Sequence, residues 1–239
     1  MGPPPQLLCQ CGECPNPVEK GQTFCIEHQK KGCTIKSPLT GSEPDFSPGD
    51  YNNDKAIQHS HNCFAYAMNV RDLEKIDECR KNNNCRFHVP GKKKGHPDFS
   101  GQMGKTCSDV LGRTMTDAPR GYLIDFATPC KKNFSKIAVV VDEENDLHYY
   151  REDSNGKWSH KPGGTKVTDK DAAGALIHAP HRASRYYPKE DANNTGLNYD
   201  SFCSYMCVPR DEPIKIAGGA RRRKGSRKSS RKATRRSRK

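Results

Sequence analysis

The chain has 239 residues, a formal net charge of +13 and a hydrophobic fraction of only 32%, which suits one medium domain with a sizeable share of loop or tail. No apolar run approaches the roughly 18 residues of a membrane-spanning helix, which excludes a transmembrane helix. The charge is concentrated rather than spread over a face, because residues 221 to 239 hold twelve Lys and Arg and no acid.

The first residues, Met1-Gly2-Pro3-Pro4-Pro5-Gln6-Leu7-Leu8, lack the cationic start and apolar centre of a signal peptide. That predicts a soluble protein made in a reducing compartment and not exported by a signal peptide. Its twelve cysteines then read as metal ligands, a nucleophile and core thiols rather than a disulfide framework.

Residues 1 to 36 form a predicted zinc module. Cys9, Cys11, Cys14, Cys25, His28 and Cys33 crowd together, and Cys11-x2-Cys14-x10-Cys25-x2-His28 gives two close pairs joined by a turn-rich link. Such spacing closes a tetrahedral Cys3His site, so Cys11, Cys14, Cys25 and His28 are the expected ligands of a structural zinc. Cys9 or Cys33 could replace one of them. A pair of disulfides is the competing use of these cysteines. So short a segment buries almost nothing apolar, and metal binding would supply most of its folding free energy. Residues 37 to 56 are dense in Pro, Gly, Asn and Asp and read as a connector.

The stretch His61-Asn62-Cys63-Phe64-Ala65-Tyr66-Ala67-Met68-Asn69 opens the domain predicted over residues 57 to 216. Asn62 is a helix N-cap residue, and Phe64, Ala65, Ala67 and Met68 keep an apolar stripe behind it. Cys63 therefore sits in a first helical turn, where unpaired amides and the helix dipole favour a thiolate. The helix is expected to run on through Ile76, and a second one to cover Ser108 to Met115. A β pattern follows, with strands at Lys136–Val141, Leu147–Asp153 and Lys157–Lys161 and a last core strand around Phe202–Val208. The turn holding Asn155-Gly156 decides where two histidines fall. A two-residue turn sends His148 and His160 to opposite faces, whereas a three-residue loop with Gly156 left-handed sets Tyr150 opposite His160 and makes the histidines diagonal neighbours.

A cysteine at a helix start, a histidine opening a central strand and a polar residue on the next strand form the general plan of papain-like hydrolases. In that plan Cys63 is the nucleophile, His148 the base and His160 its orienter. The order and the spacing from His148 to His160 resemble the NlpC/P60 superfamily of cysteine peptidases and amidases, which implies an α+β papain-like domain acting on a peptide or amide substrate. The phrases Ser37-Pro38-Leu39-Thr40-Gly41-Ser42-Glu43-Pro44, His61 to Asn69, Leu147-His148-Tyr149-Tyr150-Arg151 and Trp158-Ser159-His160-Lys161-Pro162-Gly163 also resemble proteins of nucleocytoplasmic large DNA viruses. That resemblance implies a virus-encoded protein, in the virion among other virion proteins or in the host cytoplasm or nucleus.

Residues 217 to 239 cannot bury anything and read as a disordered basic tail. Arg221 to Lys239 would bind nucleic acid without sequence preference, with nuclear targeting as the competing use. The sequence thus points first to a thiol hydrolase. The alternative is a non-enzymatic virion structural or nucleic-acid-packaging protein that keeps the same fold as scaffold.

Overall fold

Nine consecutive buried residues, Phe134–Asp142, form the strand on which the chain is built. A computed structural model describes residues 4–99, 105–188 and 196–216. Its helices are α1 (Ile26–Lys31), α2 (Gly49–Asn52), α3 (Lys55–Ser60), α4 (Cys63–Ala67), α5 (Leu73–Asn82) and α6 (Cys107–Asp117). Its strands are β1 (Tyr122–Ile124), β2 (Phe134–Asp142), β3 (Asp146–Glu152), β4 (Trp158–His160), β5 (Tyr186–Tyr187), β6 (Leu197–Asn198) and β7 (Ser201–Pro209). The main sheet is antiparallel throughout, in the order β1-β7-β2-β3-β4, and β5 and β6 pair separately. The class is α+β, as the sequence predicts.

Strand β2 reads as a continuous apolar run because both of its faces are covered. Ile137, Val139 and Val141 pack with Phe64, Ala67, Val110 and Tyr149 beneath α4 and α6. Ala138 and Val140 pack on the other side with Tyr150, Trp158, Ile177 and Tyr205. Each large apolar side chain so enclosed contributes roughly 1.5–3 kcal/mol. The β3–β4 register follows the three-residue loop: Tyr150 faces His160, Asp153 N–H donates to Lys157 O at 2.9 Å, and Gly156 takes φ 74°.

The helix expected to run from Cys63 through Ile76 is instead broken in two. Asn69 adopts φ 55° after α4, and Asp72 restarts the chain by accepting from Glu74 N–H and Lys75 N–H as the cap of α5. His61 Nε2 accepts Asp72 N–H at 2.9 Å and holds that break in place. The connector is also tied down. Glu43 receives the N–H groups of Thr40, Gly41 and Ser42 together with the Thr40 hydroxyl, while Lys136 Nζ donates to Ser37 Oγ and Arg151 to Asp45 O. The basic tail and the nucleic-acid contact assigned to Arg221–Lys239 lie outside the described residues.

Candidate functional site

Cys63 does start a helix, with Asn62 Oδ1 accepting Ala65 N–H at 3.2 Å. Its thiol nevertheless lies in the core with Leu147 and Tyr149, 5% exposed, and donates to Leu147 O at 3.8 Å. Burial, reinforced by the nearby Asp146 charge, pushes that thiol up to about 12. The activated thiolate expected from the helix start is therefore corrected to a neutral, buried thiol. Desolvation of the sulfur outweighs the helix-end field.

His148 and His160 meet as the hairpin register requires, with His148 Nε2 2.7 Å from His160 Nδ1. His160 Nε2 lies 2.8 Å from Lys170 O. A carbonyl can only accept, so His160 carries its proton on Nε2, its Nδ1 accepts, and His148 donates from Nε2. Burial holds both imidazoles neutral, His160 down to about 4 and His148 well below its ordinary value. His148 turns toward Tyr150 and Tyr199, while Cys63 packs with Leu147 and Tyr149, its neighbours along β3. The Cys63 thiol donates to a carbonyl, and among the described residues no hydrogen bond joins it to His148.

The second cluster lies in the N-terminal module. Cys9, Cys14, Cys25 and His28 each offer a ligand atom within 4.8 Å of the others. Cys11 is not among them, because it forms a disulfide with Cys33. The predicted ligand set is corrected at that position: Cys9, the alternative left open by the spacing, takes the place of Cys11. His28 Nδ1 stands 3.4 Å from Cys9 Sγ and 3.3 Å from Cys25 Sγ, and Cys14 Sγ lies 3.9 Å from Cys25 Sγ. A tetrahedral ion with ordinary zinc bond lengths needs edges of about 3.8 Å between sulfurs and about 3.5 Å from sulfur to nitrogen. The cluster fits that demand. Backbone donation from His28 and the amide of Asn16 bring Cys25 down to about 6, against the smaller opposing effect of burial. Arg182 donates to the carbonyls of Cys9 and Cys14, and Gln10 reaches Asp171, His178 and Ala179, so the module is fastened to the main domain.

Three further disulfides join Cys79 to Cys85, Cys107 to Cys203 and Cys130 to Cys207. Cys79, Cys85, Cys107 and Cys130 show no pairing in the sequence because two of their partners lie 96 and 77 residues away. Four disulfides replace the core thiols expected of a reducing compartment, and disulfides persist where the surroundings are oxidising. His61 is fully buried between Ser60 Oγ at 2.9 Å and Asp72 N–H. Beside it His88, unnoticed in its Lys- and Gly-rich loop, is buried against Asp72 at 3.3 Å. His178 and His181 are held by Ile35 O and the Tyr205 hydroxyl.

Over 142 residues, 59% of this chain and 80% of the relative, the sequence is 34% identical to insoluble matrix shell protein 1 of Ruditapes philippinarum. The chain belongs to the family of that shell matrix protein. No family model matches the chain, and no solved structure does. The kinship overturns the thiol-hydrolase reading, for the relative is described by its place in an insoluble matrix and not by an activity. Among the described residues no helix is long and apolar enough to cross a membrane.

Proposed function

We propose that this chain is a non-enzymatic structural protein of an insoluble extracellular matrix, built on an NlpC/P60-like scaffold and stapled by disulfides and one structural zinc. The kinship with the shell matrix protein carries this reading. Support comes from chemistry of three kinds. Four disulfides suit an oxidising exterior. The Cys9, Cys14, Cys25 and His28 donors suit zinc in a closed site. The Cys63, His148 and His160 trio, retained in the order of the NlpC/P60 plan, is neutral and enclosed, which suits packing rather than turnover. Fractionation of the source organism tests the proposal. The chain is expected in the detergent-insoluble extracellular fraction, with the disulfide cysteines resisting alkylation until reduced. Recovery from soluble cytosol with those thiols free would overturn it.

A further inference from the structure

Asn133-Phe134-Ser135 is an N-x-S triplet, the acceptor of N-linked glycosylation in chains that pass through a secretory route. The fold leaves room for the glycan that such an acceptor would carry. Asn133 is the left-handed residue of the turn before β2, with φ 67°, and Phe134 N–H closes that turn on Lys131 O at 3.1 Å. Both backbone groups of Asn133 are engaged, its N–H by Ser42 Oγ at 3.1 Å and its carbonyl by Arg210 N–H at 2.8 Å. The side chain is exposed beside exposed Lys131 and Lys132, and no hydrogen bond holds it among the described residues. The peptide is pinned while the amide points into solvent, so a large substituent on Nδ2 displaces nothing in the folded chain.

From this geometry and the oxidising environment of the four disulfides, we propose that Asn133 carries an N-linked glycan. The inference rests on the extracellular reading above. The donor is a lipid-pyrophosphate-linked oligosaccharide. Asn133 Nδ2 attacks its anomeric carbon, a nitrogen–carbon bond forms, the bond from that carbon to the pyrophosphate oxygen breaks, and the Nδ2 proton leaves to a base of the transferase. Transfer acts on the chain before it folds, so the later burial of Ser135 under Arg210, which donates to its hydroxyl at 2.7 Å, does not obstruct it.

The test is to secrete the full chain from a eukaryotic cell behind an added signal peptide, treat it with an N-glycosidase in heavy-oxygen water, and read each peptide by mass spectrometry. Asn133 is expected as heavy Asp in most molecules. The Asn133→Gly variant, which suits the left-handed turn, should migrate one glycan step faster on a gel and keep all four disulfides. The triplet Asn193-Asn194-Thr195 lies outside the described residues and is read on its own peptide. An unmodified Asn133 in the secreted chain overturns the inference. The disulfide map of the same sample does not depend on sugar and scores the extracellular reading separately.

Discussion

Cys25 and Cys63 occupy nearly equivalent places, one as the N-cap of α1 and the other as the first residue of α4, yet their thiols are driven in opposite directions. Cys25 is brought down to about 6 by the His28 amide, and Cys63 is pushed up to about 12 by burial. Cys25 is covered by a thin module in which Cys9, Cys14 and His28 lie beside it. Cys63 is covered by the apolar core of the sheet. A helix start supplies a favourable field in both cases, but the field prevails only where desolvation is small. Cysteine and histidine together therefore make a cluster with metal-ligand spacing at the rim of this fold and a neutral packing centre inside it.

The contrast breaks most visibly if the zinc proposed for the Cys9, Cys14, Cys25 and His28 cluster is taken away. Structural zinc in small modules holds about 10–16 kcal/mol of apparent binding free energy, and the module here has little apolar surface to replace it. Chelation, or Cys25→Ser, should abolish metal content and unfold the segment up to Cys33, and hydrogen exchange should show the change stopping before β2. Cys11→Ser should keep the metal, because Cys11 is bonded to Cys33 instead. Loss of the ion from Cys11→Ser and its retention in Cys9→Ser would restore the ligand set expected from spacing.

Disulfides give the next largest effect. The Cys107–Cys203 bond closes a span of 96 residues and ties α6 to β7. On the chain-entropy model such a closure is worth about 4–5 kcal/mol, against about 2 kcal/mol for the six-residue span of Cys79 and Cys85. Denaturant titration of the Cys107→Ala/Cys203→Ala and Cys79→Ala/Cys85→Ala double variants should rank them in that order. Equal losses would mean that native packing, not loop length, sets the contribution.

Acid sharpens the same comparison from the other side. His61, His88 and His160 are each lowered to about 4 by burial. Above pH 6.5 they are neutral in both states and their contribution to stability is complete. Between about 6.5 and 4 the unfolded chain takes up protons that the fold refuses, so stability falls with pH, by up to about 3 kcal/mol for each histidine, and levels off below 4. Melting temperature measured across that window should drop steeply. A flat profile would show that these rings are open to protons in the folded state.

Much of this was legible before any coordinates. The alternation around His148 and His160, the Gly156 loop and the Asn62 cap are local patterns, and local patterns survive in a sequence. Three of the four metal-cluster donors were likewise found from spacing. Spacing reports reach and not partnership, which is why Cys11 could not be told from Cys9. The Cys107–Cys203 and Cys130–Cys207 bonds depend on which strands become neighbours, and the β1-β7-β2 order leaves no periodic trace. The break at Asn69 was hidden because the apolar stripe continues through it to Ile76. It takes Asp72 and the distant ring of His61 to stop the helix there.

The smallest effect belongs to Cys63 itself. A thiol at about 12 presents roughly three orders of magnitude less thiolate at neutral pH than an ordinary cysteine near 8.5. Iodoacetamide should therefore miss Cys63 in the native chain and modify it only as the domain opens, at a rate that follows unfolding and ignores pH. After chelation, Cys9, Cys14 and Cys25 should react first. His148→Ala should leave the labelling of native Cys63 unchanged, because the thiol donates to Leu147 O and is held by backbone groups rather than by the imidazole. Cys63→Ala removes one buried atom from the cluster around Phe64 and Tyr149 and should cost about 1 kcal/mol. Rapid labelling of the folded chain that slows in His148→Ala would reveal an imidazole-activated thiol, and the distinction drawn between the two helix starts would fail at that point.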